Sequence, residues 1–431
     1  MPEDLMSVEE ALERILARVA TLAPEAQPIL EALGQVLAED ITAPFDVPPL
    51  DNSAMDGYAL QAESVRGARP DAPVVLRLVG SVAAGHLPEG VVGPGVAMRI
   101  MTGAPLPPGA DTVVPFEDTD ELARRAGGVP GRALTEIGIL KEPRRGDNVR
   151  PAGGDVRAGT PILHAGMPLR PAEIGVLATL GRARVRVIRR PVVAVLATGD
   201  ELREPGEPLA PGKIYNSNTY SIASQVLLAG GIPLRLGIAR DTITDLQEKV
   251  QAGLEADLFL TSAGVSTGEY DLVKDVLTRQ GEMDFWRVRM RPGKPLAFGM
   301  LRGRDARGRE RAVPHLGLPG NPVSSMIAFE QFARPAILKM QGRTTWARPT
   351  VEAVLEEPLV NDDGRRFYAR GVLTKRDGRY YARLTGPQGS NVLTSMALAN
   401  ALIIVPEFVP RVEAGGTVRA QILEGSEDLL T

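Results

Sequence analysis

Four glycine-punctuated segments, each directly after an apolar strand-like run, constrain this chain more than any other feature. They are Thr198-Gly199-Asp200-Glu201-Leu202, then Ser262-Ala263-Gly264-Val265-Ser266-Thr267-Gly268-Glu269-Tyr270-Asp271, then Arg291-Pro292-Gly293-Lys294-Pro295, and finally Leu318-Pro319-Gly320-Asn321-Pro322-Val323-Ser324. Glycine lets a backbone turn tightly and approach a ligand closely. In a sheet built of alternating strands and helices, such loops gather at the carboxyl edge, where ligands bind. Amides, a lysine, an arginine and hydroxyls beside acidic residues suit an anionic ligand with a divalent cation. The pattern predicts an enzyme acting on a phosphate or an oxyanion.

The surrounding sequence supplies the alternation that this reading needs. From Arg189 to about Gly342, strand-like and helix-like runs alternate, beginning with the continuous apolar stretch Val192–Ala197, which reads as a strand buried on both faces. A helix follows with Ile222, Val226 and Leu227 inward. Leu234–Ile238 is the next strand, and Thr242 caps a helix carrying Leu246, Val250 and Leu254 on one face. Leu258–Thr261, Phe285–Met290, Leu296–Phe298 and Val313–Leu318 read as further strands, with the charged run Gly303–Arg311 as a solvated hairpin tip. This is the rhythm of a doubly wound α/β domain, assigned here to residues 188–342.

Either side of it the rhythm differs. Ser7-Val8-Glu9-Glu10 is a capping box opening a helix, and residues 1–22 are expected to pack on the α/β domain. Residues 46–147 break into short β-like runs separated by proline and glycine, among them Val74–Val79, Val96–Met101 and Thr112–Phe116. They read as an inserted β-rich domain, carried by a narrow linking domain made of residues 23–45 and 148–187. Residues 343–431 have an all-β pattern, with Asp377-Gly378 between Phe367–Lys375 and Tyr380–Leu384 as a strong hairpin signal, and predict a small barrel or sandwich.

Composition removes several classes of chemistry. The 431 residues include no cysteine, which excludes disulfides, thiolate zinc and a cysteine nucleophile. The three histidines, His86, His164 and His315, are isolated, so a histidine-rich metal site is excluded and no role is assigned to them. Any metal is then oxygen-bound, with Mg²⁺ the default. A net charge of −4 gives no basic footprint for nucleic acid. The acidic start Pro2-Glu3-Asp4 is unlike a signal peptide, and no apolar run is long enough to span a bilayer, so a cytoplasmic protein without membrane contact is expected.

Within the glycine segments, Asn321 can cap a helix whose first position is Pro322, making an oxyanion site with Ser324 in the first turn. Arg291 and Lys294 are presented on a proline-stiffened turn, and strand alternation puts Arg287, Arg289 and Arg291 on one face as a positive stripe. Asp200, Glu201, Glu269 and Asp271 read as Mg²⁺ ligands, or as hydrogen-bonding partners of a neutral pterin-like or sugar group. Glu201 and Glu269 also suit helix N-termini as simple dipole partners. Two polar stretches outside the domain, Asp51–Ala59 and Thr102–Asp111 with Glu117, identify no chemistry by themselves.

Taken together and in order, these segments resemble the molybdopterin molybdenumtransferase family, MoeA and the E-domain of gephyrin. The resemblance covers essentially the whole chain. It is carried by Ser53-Ala54-Met55-Asp56-Gly57-Tyr58-Ala59, Thr102-Gly103-Ala104, Pro108-Gly109-Ala110-Asp111-Thr112-Val113-Val114, Asn148-Val149-Arg150 with Gly153 and Asp155, and Gln388-Gly389-Ser390, besides the four glycine segments. It implies a multidomain α/β and β architecture, with a MogA-like doubly wound domain and a C-terminal β-barrel. The implied reaction inserts molybdate into adenylylated molybdopterin, hydrolysing the adenylate, releasing AMP and forming the molybdenum cofactor with Mg²⁺. A polarised molybdate oxygen or a water would attack the adenylate phosphorus, and the dithiolene sulfurs would then take the metal. It also implies a homodimer with composite clefts, and contact with the molybdopterin adenylyltransferase.

By motif match, Lys294, Pro295, Ser324, Arg370 and Ser390 would hold molybdate. Asp271, Glu201, Asp56, Lys294 and Arg291 are the implied catalytic candidates, and Asp200, Glu201 and Asp271 the metal candidates. Thr102, Gly199, Asp241, Gly264, Ser266, Arg287, Gly320 and Asn321 are the implied substrate contacts. Two positions depart from the family pattern: Arg291 stands where lysine is usual, and Gly154 where a glutamate precedes the aspartate. Arginine keeps the charge but not the geometry of lysine. The competing readings are tungstate insertion, molybdopterin adenylylation (the α/β domain alone resembles the adenylyltransferases) and a non-catalytic scaffold like gephyrin.

Overall fold

A computed structural model describes residues 5–127, 133–240, 242–263 and 272–423. The chain forms two compact units, one made of residues 1–38, 166–170 and 185–431, the other of residues 39–165 and 171–184. Among the described residues no helix is long and apolar enough to cross a membrane.

The first helix, α1 (Val8–Ala17), starts where the capping box places it: Ser7 Oγ accepts a hydrogen bond from the Glu10 amide at 3.1 Å. Its inward stripe of Val8, Ala11 and Ile15 joins the main apolar core of the first unit.

The second unit is centred on a five-stranded sheet. Its strands are β1 (Gly57–Leu60), β2 (Val74–Val82), β3 (Val96–Ile100), β4 (Thr112–Pro115) and β5 (Glu136–Ile139), ordered β4-β1-β3-β2-β5. Tyr58, Leu60, Leu76, Ala97, Val114 and Ile137 fill one face, whereas Ala59, Val82, Met98 and Val113 fill the other. Gly57 is needed at the strand start, because a Cβ there would fall 2.0 Å from the Val114 carbonyl oxygen.

The first unit contains the α/β domain. Its elements run β6 (Val192–Thr198), α2 (Ser217–Leu228), β7 (Ile232–Ala239), α3 (Ile243–Gly253), β8 (Leu258–Ser262), α4 (Leu272–Gln280), β9 (Gly281–Arg287), β10 (Pro295–Arg304) and β11 (Glu310–Leu318), followed by α5 (Pro322–Ala328) and α6 (Arg334–Met340). The sheet order is β7-β6-β8-β11-β10-β9. The first four strands are parallel, and β10 and β9 add an antiparallel edge. Alternation along β6 sends Val193 and Val195 to the layer holding α1, α2, α5 and α6, and Ala194 and Leu196 to the layer of α3 and α4. Both faces are therefore covered, which is why the strand reads as uninterrupted apolar sequence.

A closed barrel follows: β12 (Thr350–Leu355), β13 (Arg366–Arg376), β14 (Arg379–Leu384), β15 (Ala401–Val405) and β16 (Thr417–Ile422) join in the ring β13-β14-β12-β16-β15-β13. The β13–β14 hairpin turns through Asp377 and Gly378, with φ values of 49° and 76°, as the two-residue signal requires.

Three expectations, for Leu227, for the end of one strand and for the arginine stripe, are corrected. Leu227 is 61% exposed, because the buried stripe of α2 runs through Ile222, Ala223 and Val226. The strand expected at Phe285–Met290 ends at Arg287: the Val288 amide donates to the Lys294 carbonyl, and the Arg289 amide to Met6. That break disperses the expected arginine stripe. Arg287 lines a cavity, Arg289 donates to the Leu5 carbonyl, and Arg291 turns toward the barrel. His315, to which no role was assigned, is a core residue; burial pushes its pKa down to about 3, and its Nε2 lies 3.0 Å from Thr261 Oγ1.

Candidate functional site

The carboxyl ends of β6, β8, β11 and β9 open on a cavity of about 940 Å³, within the size range of small-molecule and cofactor sites. Because the sheet order separates β6 from β9 by three intervening strands, the groove is elongated. At one end lie Glu201, Leu202 and the Tyr215-Asn216-Ser217-Asn218 run. Ser262 and the turn Pro319-Gly320-Asn321-Pro322 with Ser324 lie at its centre. Phe285, Trp286, Arg287, Lys274, Lys294 and Pro295 form the other end.

Each position follows from the local fold. Gly199 has φ 139°, and a Cβ there would stand 2.4 Å from Glu201 Oε2. The Glu201 carboxylate thus occupies space that only glycine leaves open. Asn216 caps α2 by accepting from the Thr219 amide, and Glu204 fixes the opening of that helix from outside, accepting from Asn216 Nδ2 at 3.1 Å and from Tyr220 Oη at 2.9 Å. The turn after β11 enters α5 with Pro322 at its first position, as its sequence predicts. Asn321 is the cap residue, yet its side chain makes no capping bond; Nδ2 instead donates to Ser390 Oγ at 2.9 Å, and the Val323 amide donates to the Ser390 carbonyl. These two bonds tie the Gln388-Gly389-Ser390 loop of the barrel domain to the turn.

Behind that loop lies Arg370, on β13, with no exposed surface. Its Nε donates to Ser395 Oγ at 3.1 Å and its Nη2 to the Gly389 carbonyl at 3.0 Å, while Nη1 has no partner. No carboxylate pairs with it among the described residues. Burial first, and the nearby positive charge of Arg291 second, push its pKa down to about 10. A buried cation beside a second cation, with a donor unused, is a deficit of negative charge.

The predicted residues divide as follows. Glu201, Arg287, Lys294, Pro295, Gly320, Asn321 and Ser324 line the groove, and Gly199 shapes it. Ser390 and Arg370 stand beside its central turn. Asp200 is exposed and not among the lining residues. Arg291 is not among them either: its Nη1 lies 3.5 Å from Asp362 Oδ1 and 3.6 Å from Asp363 Oδ2, with the Phe367 ring centroid 4.4 Å away. Asp241, Gly264, Ser266, Glu269 and Asp271 lie outside the described residues. In the other unit, Asp56 Oδ1 accepts from both the amide and the hydroxyl of Thr102, at 2.7 and 2.8 Å. The Thr102 amide bond, then the hydroxyl bond, hold the Asp56 carboxyl below the usual range.

Sequence reasoning gave no role to Asn218, Phe285, Trp286, Lys274 or Asn391, all of which line the groove. The polar run Tyr215–Asn218 was the only sequence signal for the first. Among the described residues no group of three or more acidic or histidine side chains is placed to hold a metal.

Comparison with known proteins places this geometry in a family. Residues 6–181 match the family model for the MoeA N-terminal region (domain I and II), residues 194–339 that for a "Probable molybdopterin binding domain", and residues 352–423 that for the MoeA C-terminal region (domain IV). The molybdopterin molybdenumtransferase 2 of Mycobacterium tuberculosis is 38% identical over 418 residues, spanning 95% of this chain and 98% of that one.

The chain belongs to the molybdopterin molybdenumtransferase family.

A second family member, from Bacillus subtilis, is 33% identical over 425 residues, covering 97% of this chain and 95% of the relative. The molybdopterin biosynthesis MoeA protein of Pyrococcus horikoshii has a crystal structure that superimposes with a TM-score of 0.78 at 31% identity, covering 98% of this chain and all of that one. The doubly wound MogA-like domain and the closed five-stranded barrel of this chain are those of the family fold.

Proposed function

We propose that this chain is a molybdopterin molybdenumtransferase: it inserts molybdate into adenylylated molybdopterin, releases AMP and forms the molybdenum cofactor. Within the structure, the single observation that carries the reading is Arg370, wholly buried without a carboxylate partner and with Nη1 unused, behind the Ser390 loop. A tetrahedral dianion bound between Lys294, Ser324, Ser390 and Arg370 supplies the missing charge and the missing acceptor. The elongated groove then holds the rest of the substrate, with phosphate oxygens near Lys294 and Arg287 and the neutral parts near the aromatic and amide-rich ends. Bringing the oxyanion and the phosphoanhydride together in one groove is the protein's main contribution, through positioning and electrostatic stabilisation.

Mg²⁺ belongs to the same proposal. Glu201 is the one acidic side chain lining the groove among the described residues. A lone carboxylate does not make an all-protein cage, but it fits Mg²⁺ that arrives on substrate phosphates and keeps most of its waters. When bound, the ion offsets the charge of the pyrophosphate. Glu201 itself, its carboxylate lying over Gly199, orients the substrate at that end.

A homodimer, in which the Asp56–Thr102 pair of one protomer completes the groove of its partner, and direct hand-over from the molybdopterin adenylyltransferase complete the reading. In its support, Asp56 is exposed, and the Thr102 amide and hydroxyl fix the orientation of its carboxylate.

The test is formation of molybdenum cofactor by the purified protein from adenylylated molybdopterin and molybdate, in Mg²⁺ and after chelation with EDTA. Cofactor should form, stop in EDTA and resume on adding Mg²⁺. No cofactor under any condition would contradict the assignment, and formation unaffected by EDTA would remove Mg²⁺ from it.

A further inference from the structure

We propose that Ser262 is a substrate-binding donor directed at a phosphate oxygen, and that Asn218 is the residue that positions it. The assignment rests on the functional reading above and adds two residues to its site.

Asn218 lies in the first turn of α2. Its Nδ2 donates to Ser262 Oγ at 2.6 Å and to the Gly320 carbonyl at 2.7 Å. A carbonyl oxygen only accepts, so the nitrogen must be the atom facing Gly320, and the orientation of the whole amide follows. Both amide hydrogens are thereby spent. Ser262 Oγ is on the accepting side of its bond, so its own proton is left for another partner. Among the described residues nothing takes that proton, although Ser262 is only 3% exposed and lines the groove. That donor is open to a ligand in the groove.

The charge of the surroundings selects the ligand. Lys294 and Arg287 line the same groove, so an acceptor-rich anion is favoured there. Ser262 ends β8, which lies between β6, the strand leading to Glu201, and β11, the strand leading to Ser324. It thus stands between the Glu201 end of the groove and the turn assigned to molybdate, where an adenylate phosphate bridging the two would lie.

Asn218 joins three elements of one site: the start of α2, the end of β8 and the turn before α5. Its Oδ1 is buried with no partner among the described residues, so this amide keeps an acceptor open beside the groove it lines.

The probes are AMP and adenosine, titrated calorimetrically into the native protein and into Ser262→Ala, Asn218→Ala and the double variant, with a melting temperature for each. Loss of a hydrogen bond to a charged group weakens binding ~10-fold or more. Ser262→Ala should weaken AMP by that factor and leave adenosine unchanged. Asn218→Ala should do the same, and the double variant should be no worse than either, because the two act as one unit. AMP affinity unchanged in Ser262→Ala, or AMP and adenosine weakened alike, overturns the assignment. So does an Asn218→Ala variant that loses only melting temperature. If the native chain bound no AMP, the functional reading beneath would fail, and this assignment with it.

Discussion

Replacing Arg370 with methionine is expected to weaken molybdate binding about 100-fold or more while leaving the melting temperature within a few degrees of the native value. The two halves of that result come from one fact. Arg370 is wholly buried, unpaired with any carboxylate among the described residues, and destabilised further by Arg291. Exchanging a buried charge for an apolar side chain of similar length is often neutral or stabilising, because the desolvation penalty disappears with the charge. Three hydrogen bonds, to Ser395, Gly389 and Pro387, are lost in the exchange, which sets the size of the offset. A structural arginine would behave oppositely, losing stability first and ligand affinity only as a consequence. Equilibrium binding of molybdate and thermal unfolding, measured on the same preparations, separate the two cases. Unchanged molybdate affinity in a folded Arg370→Met protein would remove Arg370 from the oxyanion site.

The second large effect is expected at Gly199. Alanine there meets the Glu201 carboxylate at 2.4 Å and forces it out of its place, in a backbone conformation that alanine resists as well. A displacement of about 1 Å at a positioned group costs on the order of 100-fold in rate. The strain alone is separable from the displacement. Gly206 also has positive φ, at 97°, but no atom lies within 4 Å of a Cβ built there. Gly206→Ala should therefore lose stability with little change in kcat/KM, whereas Gly199→Ala should lose both. In a Glu201→Gln background the Gly199 substitution should cost little more activity, because the group it displaces is already disabled. A full additive loss in that background would show that Gly199 acts on something other than Glu201.

Much of the fold was legible because local and tertiary requirements agree. Ser7 through Glu10 cap a helix by their own chemistry, the Asp377-Gly378 pair fixes its hairpin, and Val192–Ala197 is apolar throughout because both faces of its strand are covered. The failures share a cause. The arginine stripe required an unbroken strand through residue 291, yet the break after Arg287 is imposed by the Lys294 carbonyl and by Met6 at the far end of the chain. Leu227 looked inward because the pattern at the start of α2 does not say how narrow its buried stripe is. Among site residues, the groove-lining Lys294, Ser324 and Glu201 were visible as loop residues after strands. Ser262 was visible only as the first residue of a glycine segment, and Asn218 was given no role, because an asparagine at a helix start looks like an ordinary cap. Arg370 was reached only through the resemblance, since no local pattern announces a buried arginine without a partner. The same holds for Asp56 and Thr102, whose pairing spans 46 residues of sequence.

The departures at Arg291 and Gly154 also acquire physical content. Arg291 divides its charge between Asp362 and Asp363 and rests on Phe367, an arrangement that suits a planar guanidinium better than a point-charge ammonium. At Gly154, a Cβ would come within 2.9 Å of the Pro151 carbonyl oxygen, so the local turn has been built around the glycine.

The most direct test of the central claim is the release of AMP from adenylylated molybdopterin by the purified protein, followed with and without molybdate. The groove geometry predicts release that depends on molybdate and that matches the molybdenum retained in the pterin product, one for one. Release at the same rate without molybdate, or tight binding of the adenylylated pterin with no release in its presence, would contradict it.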